Sequence, residues 1–158
     1  MNWKQHLAVG IPTGILFIVL STWRFGWFDS LRVLDAFLLV FVLFLSPLLP
    51  DLDHPRSKLH AVFMSVGLSY ILLGGIGYYF IEEYAIASIT LLLGGSILVV
   101  LTEVLARGFK HRGFTHSLPV CFAYAGVIGL ISLPEIGVLA GLGFYSHLAA
   151  DGLFFKIY

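Results

Sequence analysis

Four of the six histidines and three of the five aspartates of this chain lie in three short stretches, with His6 near the start and His60 apart from them. The first stretch, Pro50-Asp51-Leu52-Asp53-His54-Pro55, places two carboxylates and an imidazole between prolines. Proline fixes the backbone and ends a helix, so these side chains can be aimed rigidly. The second is His111-Arg112-Gly113-Phe114-Thr115-His116-Ser117. Histidines five apart do not align on a regular helix, but Gly113 permits an irregular turn that can bring both rings to one centre. The third is His147 with Asp151, four apart and therefore on one face of a helix.

Imidazoles and carboxylates together suit zinc, and also manganese or another divalent transition metal. Cys121, the only cysteine, lies in an apolar run away from these motifs, which argues against a closed thiolate zinc site. His6, Asp51, Asp53, His54, His111, His116, His147 and Asp151 are the candidate ligands. That supply exceeds the three protein ligands of a simple catalytic zinc and suits one or two ions, the second arrangement clamping both oxygens of a displacement. Each stretch also has a plainer reading. The first is equally an acidic turn with a capping aspartate, and the third a His–Asp hydrogen bond between helices.

Two further residues are assigned catalytic roles. Arg112 can grip a phosphate or carboxylate with two prongs, the alternative being a topological charge. Glu103 is a candidate general base, set against a helix-end carboxylate satisfied by Arg107 or Lys110. Thr115 and Ser117 read as helix caps. His60 has no adjacent partner in sequence and is left out of the ligand set. The serine-nucleophile pattern Gly-x-Ser-x-Gly does not occur, so a metal-activated water is the simpler nucleophile.

The elements that must position these residues are membrane helices. Of the 158 residues, 59% are hydrophobic and 11% charged, and the mean hydropathy is +0.96. Soluble domains carry about 25% charged residues, so lipid is the natural solvent. Zero net charge argues against direct nucleic-acid binding. Apolar runs cover about 6–20, 34–49, 59–81, 85–106, 118–133 and 136–155. The fold class predicted is an all-α transmembrane bundle of about six helices in a single domain, residues 1–158. The second run should stop at Pro50. The first and fifth are short for a full span, and the first lacks a cleavage signal, so it is read as a retained helix. Trp23, Phe25, Trp27 and Phe28 form an interfacial aromatic belt. Gly74–Gly75 and Gly94–Gly95 are candidate close helix contacts.

Six spans put the N-terminus, the second and fourth loops and the C-terminus on one face. Lys4, Arg56, Lys58, Arg107, Lys110, Arg112 and Lys156 flank that face, and only Arg24 and Arg32 flank the other. Basic residues mark the cytoplasmic side, so both termini are expected there. All the candidate ligands fall at that same end.

Taken in order, His6, Leu48-Leu49-Pro50-Asp51-Leu52-Asp53-His54-Pro55, His111 to Leu118, and Ser146-His147-Leu148-Ala149-Ala150-Asp151 resemble the YdjM-like family of membrane-bound metal-dependent hydrolases. That group is also described as LexA-binding, inner-membrane-associated hydrolases of bacteria and archaea. The resemblance runs over nearly the whole chain. It implies a metal-ligand pattern similar to zinc-dependent phospholipase C and P1-type nucleases, hence phosphoester substrates. Chain and resemblance together lead to an inner-membrane hydrolase acting at the cytoplasmic face on a phosphoester, with membrane lipid as solvent and candidate substrate. The alternative is a non-catalytic membrane protein stabilised by metal, with a regulatory or partner-binding role. A transporter is disfavoured, because the far halves of the helices offer little beyond Ser, Thr and Tyr.

Overall fold

The computed structural model describes residues 3–29, 31–80, 82–108 and 113–153. Among them are six α-helices and no strand. These are α1 Trp3–Phe25, α2 Val33–Leu45, α3 Lys58–Phe80, α4 Ala85–Gly108, α5 Leu118–Ile131 and α6 Pro134–Ala150, with a 3-10 segment, Ser46–Asp53, continuing from α2.

The helices are built inside out relative to a soluble bundle. α1 buries His6, Gly10, Gly14 and Ser21, while Ile15, Leu16, Val19 and Leu20 face outward. α4 buries Ser88, Gly95, Thr102 and Ala106 and turns Leu93, Ile97, Val100 and Leu101 outward. In water such an apolar exterior would aggregate. In lipid it costs nothing, and small residues at the contacts let backbones approach. Trp3–Phe25, Val33–Asp53, Lys58–Phe80 and Ala85–Gly108 are each long and apolar enough to cross a bilayer. α5 and α6 have 14 and 17 residues, or about 21 and 26 Å at 1.5 Å per residue, less than the roughly 30 Å of hydrocarbon.

Three boundaries differ from the sequence expectation. The first helix is not short. It runs 23 residues straight through Pro12, since lipid penalises any alternative to helical backbone more than it penalises one missing hydrogen bond. The second does not stop at Pro50. It tightens to 3-10 geometry from Ser46 and carries Pro50 inside that segment, because Pro47 cannot donate to the α-helical ladder. The sixth ends at Ala150, where Asp151 and Gly152 turn the chain and Gly152 adopts φ +75°. The expected extension to 155 is therefore not helical over 151–153, and 154–155 lie outside the described residues.

The chain divides into two compact units, Met1–Pro50 with Arg112–Tyr158, and Asp51–His111. In the first, α6 packs against α1, α2 and α5. Ile136, Leu139 and Ala140 from α6 form its core with Val42 of α2, covered by Phe17, Leu38 and Leu43. The Arg32 guanidinium holds the buried Asp35 carboxylate at 2.7 and 3.1 Å.

The second unit is the α3–α4 hairpin, closed by the short 3-10 turn Glu82–Tyr84. One glycine of each predicted pair makes the contact. A Cβ on Gly95 would lie 2.6 Å from the Gly67 carbonyl and 2.9 Å from the Ile71 nitrogen, and one on Gly74 would lie 2.7 Å from the Ser88 carbonyl. Gly75 and Gly94 face open space. Backbone cannot yield as a flexible side chain can, so Gly95→Leu should force α3 and α4 apart. The expected loss is about 3 kcal/mol, the upper end for overpacking, read as a lowered unfolding midpoint in detergent. Gly94→Leu serves as the control and should leave that midpoint in place.

Candidate metal centre

His6 lies one turn into α1, and its ring is 1% exposed. His147 lies in the last turn of α6, fully buried. Asp151 is the C-cap residue of α6, four on from His147, with its side chain 2% exposed. His116 closes a one-turn 3-10 element, Phe114–His116, just before α5, and is also fully buried. All four belong to the first unit.

The His6 and His147 rings stack, with centroids 3.7 Å apart and planes 12° from parallel. The His116 ring meets His147 edge-on at 5.2 Å. His6 Nε2 is 3.7 Å from Asp151 Oδ1, and His147 Nε2 is 3.8 Å from Asp151 Oδ2. One ligand atom from each of these three residues lies within 4.8 Å of the other two.

Those spacings can be set against two kinds of contact. A His–carboxylate hydrogen bond places its atoms about 2.7–3.0 Å apart, and both contacts are longer. Donors sharing a tetrahedral zinc at about 2.1 Å stand roughly 3.4 Å apart. The observed 3.7 and 3.8 Å lie nearer the second value. Two nitrogens and a carboxylate oxygen are the donor set of a three-ligand catalytic zinc. The residues therefore fit a divalent cation.

His147 is held from behind. Its Nδ1–H donates to the Pro47 carbonyl at 2.8 Å. A carbonyl only accepts, so Nδ1 carries a proton, and Nε2 is the ring nitrogen on the carboxylate side. The Ser46 and Tyr124 hydroxyls bond each other at 2.9 Å beside that carbonyl. Ser117 sits at the N-cap position of α5 but does not cap it with its side chain. Its hydroxyl donates back to the Phe114 carbonyl at 2.6 Å, closing the turn that carries His116. Thr115 Oγ1 lies 3.3 Å from His116 Nδ1 rather than on a helix end.

The other motif residues lie in the second unit. Asp51 and Asp53 end the 3-10 segment, Asp51 half-buried and Asp53 1% exposed. The His54 N–H donates to the Asp51 carbonyl at 3.0 Å, and His54 Nδ1 accepts from the Arg56 N–H at 3.1 Å. Glu103 is ion-paired to Arg107 and lies 3.6 Å from His60 Nε2, the pairing set beside the general-base role above. His60 itself is buried, its N–H bonded to Ser57 Oγ at 3.0 Å. His111 and Arg112 lie outside the described residues.

Sequence reasoning missed the Pro47 carbonyl. A backbone group leaves no mark of its own, and the three-residue spacing of Pro47 and Pro50 is the one signal that could have found it.

Comparison with known proteins agrees with this architecture. The family described as YdjM inner membrane protein matches residues 1–155. Two curated relatives, each named inner membrane protein YdjM, come from Escherichia coli (strain K12) and Shigella flexneri. Each is 32% identical over 116 residues, which are 69% of this chain and 41% of the relative. The chain thus spans about two fifths of the length of the curated relatives it matches. No solved structure matches it.

Proposed function

For a chain that belongs to the YdjM family of inner membrane proteins, we propose metal-dependent hydrolysis of a phosphoester, at the cytoplasmic face and in a lipid headgroup. The observation that carries this is the convergence of His6, His147 and Asp151 at cation-sharing distances. The excess of basic residues, seven against two, supports the cytoplasmic orientation.

The chemistry a divalent cation supplies when bound here is Lewis-acid activation of water near neutral pH. His6 and His147 provide neutral nitrogen donors, and Asp151 offsets part of the cation's charge. Packing and the Pro47 carbonyl keep both rings oriented, so little reorganisation is needed when the ion binds. His116, whose ring meets His147 edge-on at 5.2 Å, enters as a further ligand. Arg112 steadies the phosphate. Asp51, Asp53, His54 and His111 enter as further ligands on the sequence motif. Zinc is the first candidate, with manganese as the alternative, and the count is one or two ions. Glu103, tied to Arg107, acts as an ion-pair partner rather than as the base.

A groove between α5 and α6 supports a lipid substrate. It encloses about 470 Å³ and is lined by Leu118, Cys121, Phe122, Ala125, Leu142 and Tyr145 among others. Its lining is apolar, as an acyl chain requires. Tyr145 is within about 3 Å of His147 along the α6 axis, so a chain in the groove would bring its headgroup to the depth of the site.

Elemental analysis of chelator-free, detergent-purified protein, followed by a phosphoester screen, tests the proposal. The panel should include p-nitrophenyl phosphate and phospholipids in mixed micelles. One or two divalent ions per chain and ion-dependent hydrolysis are expected, read as phosphate from a monoester or as phosphomonoester and alcohol from a phospholipid, and metal-free protein would sink the reading. A second reading is supported by the near-complete burial of His6, His116 and His147. A closed site of that kind suits a metal that ties helices together and does no chemistry. It would give metal-loaded protein inert to every phosphoester.

A further inference from the structure

In a 3-10 segment each carbonyl accepts the N–H three residues on. Three residues on from Pro47 stands Pro50, which has no N–H to give. The sequence itself thus denies the Pro47 carbonyl its usual 3-10 donor, and that oxygen instead accepts from His147 Nδ1 at 2.8 Å. We propose that Pro50 is a positioning residue. By withholding an N–H from the Pro47 carbonyl, it reserves that oxygen for His147 and fixes the imidazole with its Nε2 lone pair toward His6 and Asp151. The inference rests on the reading of His147 as a metal ligand.

The surroundings of Pro47 leave it little room to shift. A Cβ on Gly10 would overlap the Pro47 ring, and one on Gly143 would lie 2.7 Å from Ser46 Cβ and 3.3 Å from Pro47 Cδ. α1 and α6 therefore close on the segment from both sides at the only residue type that permits it. Ser46, fully buried, is pinned by the Tyr124 hydroxyl. Pro50 is itself buried and cannot swing away. The carbonyl is thus fixed in position by packing and kept available by a missing donor. The arrangement joins a ligand near the C-terminal end of α6 to a backbone oxygen beyond the end of α2.

Pro50→Ala tests this, because alanine restores an N–H that competes for the same carbonyl. The first readout is the ¹⁵N spectrum of histidine-labelled, metal-free protein in detergent, with His147 assigned by its loss in His147→Gln. The wild-type ring should carry its proton on Nδ1, and Pro50→Ala should show a mixture of tautomers. The second readout is zinc affinity by competition with a chromophoric chelator, expected to fall about 10- to 100-fold, as for loss of a group that orients a metal-bound histidine. Pro47→Ala keeps the carbonyl and leaves position 50 without a donor, so it should retain the Nδ1–H form.

A wild-type His147 protonated on Nε2 overturns the proposal. So does Pro50→Ala with tautomer and affinity both unchanged. If Pro50→Ala fails to fold, the wild-type tautomer and Pro47→Ala decide, and loss of the Nδ1–H form in Pro47→Ala counts against it. A wild-type protein that shows the tautomer yet takes up no zinc overturns the metal reading and leaves the role of Pro50 standing.

Discussion

Replacing His147 with alanine should weaken divalent-metal binding by at least about 100-fold, the upper end of what loss of a mere orienting partner costs. Any ion-dependent turnover should go with it. His147 touches every other part of the candidate centre in its unit. It stacks on His6, meets His116 edge-on, faces Asp151 and bonds the Pro47 carbonyl. Truncation removes a donor nitrogen and the surface that holds His6 in place. It also leaves the Pro47 carbonyl without its His147 donor in a buried position, a cost of about 1–3 kcal/mol. The variant should therefore melt earlier even without metal. His54→Ala makes a useful contrast. That ring is half-buried in a turn and accepts the Arg56 N–H, so its loss should lower the melting point of metal-free protein less than loss of the fully buried His147. Isothermal titration with zinc, beside thermal unfolding of metal-free protein, reads both effects. A dissociation constant within threefold of wild type would remove His147 from the ligand set.

Metal should also stabilise the fold. An ion that binds only the folded state adds about 2.7 kcal/mol when present at 100 times its dissociation constant. For a chain of this length that corresponds to a rise of roughly 5–10 °C in the unfolding midpoint. The structural reason is that Asp151, its side chain 2% exposed, lies among buried rings. A cation there offsets the cost of keeping a carboxylate away from water. Chelator should reverse the shift, and acidification should erase it, because imidazoles bind metal only when neutral. The comparison to make is differential scanning fluorimetry with zinc, with manganese and with chelator, on wild type and on Asp151→Asn. A shift that survives in Asp151→Asn at full size would place the ion elsewhere.

Much of this protein was legible because a membrane helix is a local object. Hydropathy summed over some 20 residues is enough to place one, so the six helices and most of their ends could be read directly. So could the position of His6 at the start of α1 and of His147 and Asp151 close together at the C-terminal end of α6. The boundaries that moved did so at prolines and at a turn. Pro12 was absorbed into α1, and Pro47 changed the hydrogen-bond pattern after α2. Such outcomes depend on what packs around the residue.

Which residues meet is not local. Gly74 and Gly95 make the α3–α4 contact while Gly75 and Gly94 face open space. Rotating either helix by one residue, about 100°, would exchange those roles without changing composition or hydropathy. The stacking of His6 on His147 likewise requires α1 and α6 to lie side by side in one register. The sequence by itself determined a membrane bundle with candidate metal-ligand residues near its helix ends. Only the tertiary structure decided that His6, His116, His147 and Asp151 form one cluster, and that the oxygen orienting His147 belongs to the backbone of Pro47. Ligand chemistry is written in side chains, whereas the distances between ligands are set by how helices pack.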